Sequence, residues 1–158
     1  MLRFLDGLIG QFLAAGRWLV LPVVLLLCLQ WPLRDLVQGW SREANDLGQW
    51  LFALYVAISI TAATRAHTHL AADMVARSYS PATRRMIAQA GRLLGLIPWG
   101  LLVIITAKPA VLQSVAVLER FADTSNPFYF VIRLSVWLMA GLVLLQAVID
   151  LLRPEARA

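Results

Sequence analysis

The chain has 158 residues, 60% of them hydrophobic and only 15% charged, with a mean hydropathy of +0.72. Soluble domains run at about 45–50% apolar and about 25% charged, so the surplus apolar surface here faces something other than water. The formal charge of +5 does not make a nucleic-acid binder, because no basic face with interleaved aromatics occurs and the arginines cluster between apolar runs. That is how the cytoplasmic loops of membrane proteins are charged. The single cysteine, Cys28, excludes an intrachain disulfide, a CxxC redox pair and a cysteine metal site. Inside an apolar run it reads as a small buried hydrophobe.

In chain order, the first element is an amphipathic lead-in over 2–15, where Leu2, Leu5, Ile9 and Phe12 recur at helical spacing. Such a helix suits the membrane interface. An apolar run over 18–37 follows, with Arg34 and Asp35 near its end. Leu25-Leu26-Leu27-Cys28 lacks the small residue of a lipoprotein box, and no small-x-small cleavage site follows, so the run reads as an uncleaved anchor. The second run, 47–64, is free of charge. The third covers 93–118 and contains Pro98, Lys108 and Pro109. Neighbouring helices can re-satisfy the carbonyls that proline frees in a membrane bundle, so kinks are expected rather than breaks. Ser80-Pro81 supplies an N-cap and a first-turn proline, so this helix begins well before its apolar part. The fourth run, 127–152, has Arg133 near its start and Asp150 near its end.

The four runs are 20, 18, 26 and 26 residues long, each enough to span when a spanning helix needs ~20 residues, with a usual range of about 17–25. The expected fold is therefore an all-α membrane protein, one domain of four transmembrane helices. Nine arginines lie in the N-terminal arm, the middle loop and the tail (Arg3, Arg17, Arg65, Arg77, Arg84, Arg85, Arg92, Arg153, Arg157). Five cations lie on the other side: Arg34, Arg42, Lys108, Arg120 and Arg133. The positive-inside rule then places both termini and the 67–92 loop in the cytoplasm.

The middles of the four runs carry no ionisable residue, whereas ion pathways and proton relays place such groups inside the bundle. The two histidines, His67 and His69, sit two apart at one end of one run and would point in nearly opposite directions on a helix, which disfavours haem ligation. Zinc ligands are lacking, and no nucleophile–base–acid set can be assembled. The expectation is no enzyme and no cofactor. Small residues are available for helix contact: Gly91/Gly95, Ala53/Ala57 and Ser59/Ala63. At the outer surface Lys108 and Arg133 either snorkel to lipid headgroups or pair with an acid, for which Glu119 and Asp123 are the in-chain candidates.

One stretch is more specific. Asn45-Asp46-Leu47-Gly48-Gln49, an apolar span, and then Arg65-Ala66-His67-Thr68-His69-Leu70-Ala71-Ala72-Asp73 together resemble the small membrane subunit (DctQ type) of tripartite ATP-independent periplasmic (TRAP) transporters. That family carries a pattern close to G-x-H-x-R-x-D near the end of its second span. His69 and Asp73 match it, while His67 stands where glycine is common and Ala71 where arginine is common, so that arginine's role has no carrier here. Ser80-Pro81 and Pro127 also look like the family. The resemblance implies a non-catalytic scaffold in the bacterial inner membrane. Its partners would be a large sodium-coupled membrane subunit (DctM type) and a periplasmic substrate-binding protein (DctP type) that captures an organic anion such as a carboxylate. His69 and Asp73, four apart on one helix face, would either contact the large subunit or anchor the helix end. The competing expectations are a self-contained homo-oligomeric transporter and a membrane anchor for a redox complex.

Overall fold

A computed structural model describes residues 2–36, 42–66 and 79–152. The described residues form helices and turns, with no strand among them. Helix α1 spans Leu2–Gly16 and α2 spans Val20–Leu36, joined by a single 3₁₀ turn over Arg17–Leu19. Helix α3 spans Arg42–Arg65, α4 spans Pro81–Ala90, α5 spans Ile97–Ala116 and α6 spans Tyr129–Leu152. A π-helical turn, Gly91–Leu96, joins α4 to α5. Four helical runs are long and apolar enough to cross a bilayer: Asp6–Pro32, Arg42–Arg65, Ala82–Ala116 and Tyr129–Leu152.

The first three of these runs begin before the apolar windows of the sequence, and local chemistry explains the first and third. The lead-in is continuous with the first apolar run, because Arg17 is accommodated in the 3₁₀ turn rather than ending the helix. Ile9 and Leu13 do not lie on an interface; they are buried in one cluster with Ile58 and Ile149. At the next turn Gly16 meets α3 so closely that a Cβ there would lie 2.5 Å from Ile58 Cγ2. The third run begins where the sequence places it. Ser80 Oγ accepts a hydrogen bond from the Thr83 amide at 3.2 Å, and proline occupies the first turn. The π turn lies directly before and around the point where Pro98 removes a backbone donor, so the carbonyls a turn earlier are re-paired at wider spacing. Gly91 and Gly95 both face open space, so their small-residue step is not a helix contact among the described residues.

Helix α6 is the centre of the bundle, packing on α3 on one side and on α5 on the other. Ala140, Val143 and Ala147 are nearly inaccessible there, as is Ala57 on α3. Gly100 of α5 lets Leu144 of α6 approach, since a Cβ would lie 2.7 Å from it. Trp137 Nε1 donates to the Ile104 carbonyl at 3.2 Å, which fixes the antiparallel register of α5 and α6. Three buried hydroxyls bond within their own helices, Thr61 to the Ala57 carbonyl, Thr64 to Ile60 and Ser135 to Ile132, whereas the buried Ser114 Oγ and Gln146 Oε1 have no hydrogen-bond partner among the described residues.

Charge collects at two ends. At one, Arg65 Nη1 lies 2.9 Å from Asp6 Oδ1, and Arg92 lies 3.9 Å from Asp150, which also accepts from Gln146 at 2.8 Å. The other end carries the 117–128 connection and the start of α3; it is called the loop end below.

Candidate functional site

The first turns of α3 place Arg42, Asn45, Asp46 and Gln49 on one face, at the i, i+3, i+4, i+7 spacing that aligns side chains on a helix. Facing them is the 117–128 connection. Together with Tyr129 of α6 they enclose an open cavity of about 520 Å³, whose far wall includes Phe121, Asp123 and Thr124.

The connection is a folded loop. Phe121 donates its amide to the Asn126 carbonyl and accepts from the Ser125 amide, both at 2.9 Å. Arg120 Nη1 reaches the Ser125 carbonyl at 3.3 Å. Three residues other than glycine hold positive φ: Leu118 at 48°, Ser125 at 56° and Phe128 at 83°. Such conformations persist only where surrounding contacts over-determine them. Backbone hydrogen bonds hold Leu118 and Ser125, and aromatic contacts hold Phe128 and the loop around it. Phe121, 7% exposed, stands edge-on to Tyr129 with centroids 5.3 Å apart, and Phe128 packs against Trp50 at 5.8 Å.

The polar link is Asp46, itself 7% exposed. Its Oδ2 accepts from the Thr124 hydroxyl and from Asn126 Nδ2, the latter at 3.1 Å, and Thr124 Oγ1 in turn accepts the Asn126 amide at 3.3 Å. One carboxylate thereby ties α3 to a loop about eighty residues away. Burying a charge is costly unless hydrogen bonds satisfy it, and here the donors to Asp46 are neutral.

Beside the cavity Arg133 grips Glu119 with two bonds, Nε to Oε2 at 3.0 Å and Nη2 to Oε1 at 3.1 Å. Its guanidinium also lies 5.7 Å from the Tyr129 ring centroid. Of the two acids the sequence nominated for Arg133, Glu119 is therefore the partner. Asp123 is exposed on the cavity wall and carries no ion pair among the described residues. Lys108 is exposed, and the Trp137–Ile104 register sets it at the height of Arg133.

The remaining expected positions divide. Asn45 lines the cavity; Gly48 is half-buried with open space around it. His69 and Asp73 lie outside the described residues. The sequence singled out Asp46 and Gln49 only as part of the 45–49 stretch that carries the family resemblance, and gave Thr124, Asn126 and Tyr129 no site role. The polar stripe 42/45/46/49 at the head of α3 was a visible signal for half of this site. Among the described residues no three His, Cys, Asp or Glu side chains gather as metal ligands would.

A family model described as the DctQ component of tripartite ATP-independent periplasmic transporters matches residues 19–157. No curated protein and no solved structure matches the chain.

Proposed function

Because the chain belongs to the DctQ family of tripartite ATP-independent periplasmic transporters, we propose that it is the scaffolding small permease subunit of such a system. It binds a large membrane subunit that carries the sodium-coupled translocation of an organic anion, such as a carboxylate. The loop end faces the periplasm and helps receive the substrate-binding protein, while both termini and the 67–92 segment lie on the cytoplasmic side of the inner membrane. The positive-inside count supports this orientation.

The observation that carries the scaffold role is the placement of charge. Described ion pairs sit at the two ends of the bundle, and the Thr61, Thr64 and Ser135 hydroxyls are tied to their own helix backbones, which leaves Ser114 Oγ and Gln146 Oε1 as the buried side-chain atoms without a described partner. A substrate pathway needs polar groups that can exchange partners with the cargo; groups bound to their own helix are already committed. The folded loop with its cavity supports docking at that end, because a rigid polar surface binds a soluble protein at low ordering cost.

The test is co-expression with a large membrane subunit and a periplasmic binding protein, purification in mild detergent, and reconstitution. The large subunit is expected to co-purify, and only the full system is expected to take up organic anion on a sodium gradient. Uptake by this chain alone would overturn the scaffold reading.

A further inference from the structure

The two polar ends of the bundle measure its apolar band. Along α3, Asp46 and Arg65 are nineteen residues apart, about 29 Å at 1.5 Å per residue; along α6, Arg133 and Asp150 are seventeen apart, about 26 Å. Both match the ~30 Å of a bilayer's hydrocarbon core. Helix α1 enters this band at Asp6, whose carboxylate is held by Arg65 at the end opposite the loop. Arg17 lies eleven residues further on, about 16 Å along the helix axis. Packing gives a smaller depth: the neighbouring Gly16 abuts Ile58, seven residues or about 10 Å inside the end of α3, so Arg17 lies about 10–16 Å into the band.

Arg17 faces outward at this depth. Its side chain is exposed, and Trp18 beside it is 67% exposed. Among the described residues its one hydrogen bond runs from Nε to the Ala14 carbonyl of the preceding turn, at 3.0 Å. That bond turns the guanidinium towards Asp6 by about one turn, or roughly 5 Å, which leaves it about 5–11 Å inside the charged end. The two Nη groups carry the charge and four more donors, with nothing described to receive them. A guanidinium in that position is strongly disfavoured in hydrocarbon, and ionisable residues within spans are characteristically paired across a protein surface.

We infer that Arg17 marks an intramembrane contact surface on α1 and α2, where an Asp or Glu carboxylate from a helix of the large membrane subunit pairs with it. A planar guanidinium and a carboxylate form a two-bond pair whose geometry sets register, so Arg17 would fix the depth at which the two subunits meet. The inference rests on the small-subunit reading above for the existence of that partner.

The experiment uses the co-expressed complex, with Arg17→Leu, Arg17→Gln and Arg17→Lys compared to the parent. Expected for Arg17→Leu and Arg17→Gln is at least a tenfold loss of co-purified large subunit, with Arg17→Lys recovering part of it. The small chain itself should stay at parental levels in the membrane and melt at the parental temperature, since Arg17 bonds only its own turn. Parental co-purification and parental uptake by Arg17→Leu would overturn the inference and leave the small-subunit reading standing. Loss of bound anionic lipid without loss of the large subunit would also overturn it, assigning Arg17 to headgroups. If the parent chain itself captures no large subunit, the small-subunit reading fails and the inference with it.

Discussion

Replacing Asp46 by alanine tests whether one carboxylate organises the loop end. Asp46 is 7% exposed and accepts from Thr124 and Asn126. Hydrogen bonds to a charged group contribute about 1.5–3 kcal/mol each. The cavity beside it is open, so the two released donors can find water, and the lower part of that range applies. Asp46→Ala is therefore expected to destabilise the fold by about 2–4 kcal/mol, and Asp46→Asn, which keeps one acceptor oxygen, by about 1 kcal/mol. For a chain of this size each kcal/mol moves the melting temperature by about 2–4 °C, so Asp46→Ala should lower it by roughly 5–15 °C. Thermal unfolding in mild detergent, followed by tryptophan fluorescence, reads this directly. Thr124→Val should cost less alone and should add little in the Asp46→Ala background, because the two changes remove one shared bond. Trypsin cleavage at the exposed Arg120 should accelerate in parallel, as the loop loses its link to α3. A melting temperature for Asp46→Ala within about 2 °C of the parent, or full additivity with Thr124→Val, would refute the reasoning.

Three other expectations follow from particular contacts. Gly16→Leu forces side-chain atoms into Ile58, where a Cβ alone would lie 2.5 Å from Cγ2; overpacking of this kind costs about 1–3 kcal/mol, read as a lower melting temperature with unchanged helical circular dichroism. Glu119→Gln and Arg133→Ala should show a small coupling, about 0.5–1 kcal/mol, because the two side chains are 31% and 39% exposed and the pair is screened. A double-mutant cycle at low and high salt would measure it, and a coupling that ignores salt would show that the exposure argument is wrong. Finally, a cysteine at Ser78 should resist an impermeant thiol reagent applied from the periplasmic side, in a Cys28→Ala background. Labelling from outside would reverse the proposed orientation.

Much of this protein is legible in the linear sequence, for a physical reason. Lipid requires every spanning segment to satisfy its own backbone, so an apolar run of sufficient length is a helix wherever it packs. That is why four runs, the Ser80 N-cap and the helical start at Pro81 could be read without coordinates. The residue spacing around Asn45 and Gly48, together with the His69 and Asp73 positions, likewise sufficed to point to the family, since motif spacing is a property of the chain itself. Tertiary structure decided what depends on which helices meet and at what height. Whether Arg133 pairs with Glu119 or Asp123 turned on how the 117–128 loop folds, which rests on positive-φ residues that carry no glycine to announce them. The loop-end cavity needed α3 brought against a segment about eighty residues away by Asp46. The sequence counts Arg17 with the N-terminal arm; the contacts Asp6–Arg65 and Gly16–Ile58 set its height in the bundle, between the Arg65 end and the middle of α3. Hydropathy reports how well a segment tolerates lipid, but the depth and the neighbours of a single charge are set only by packing.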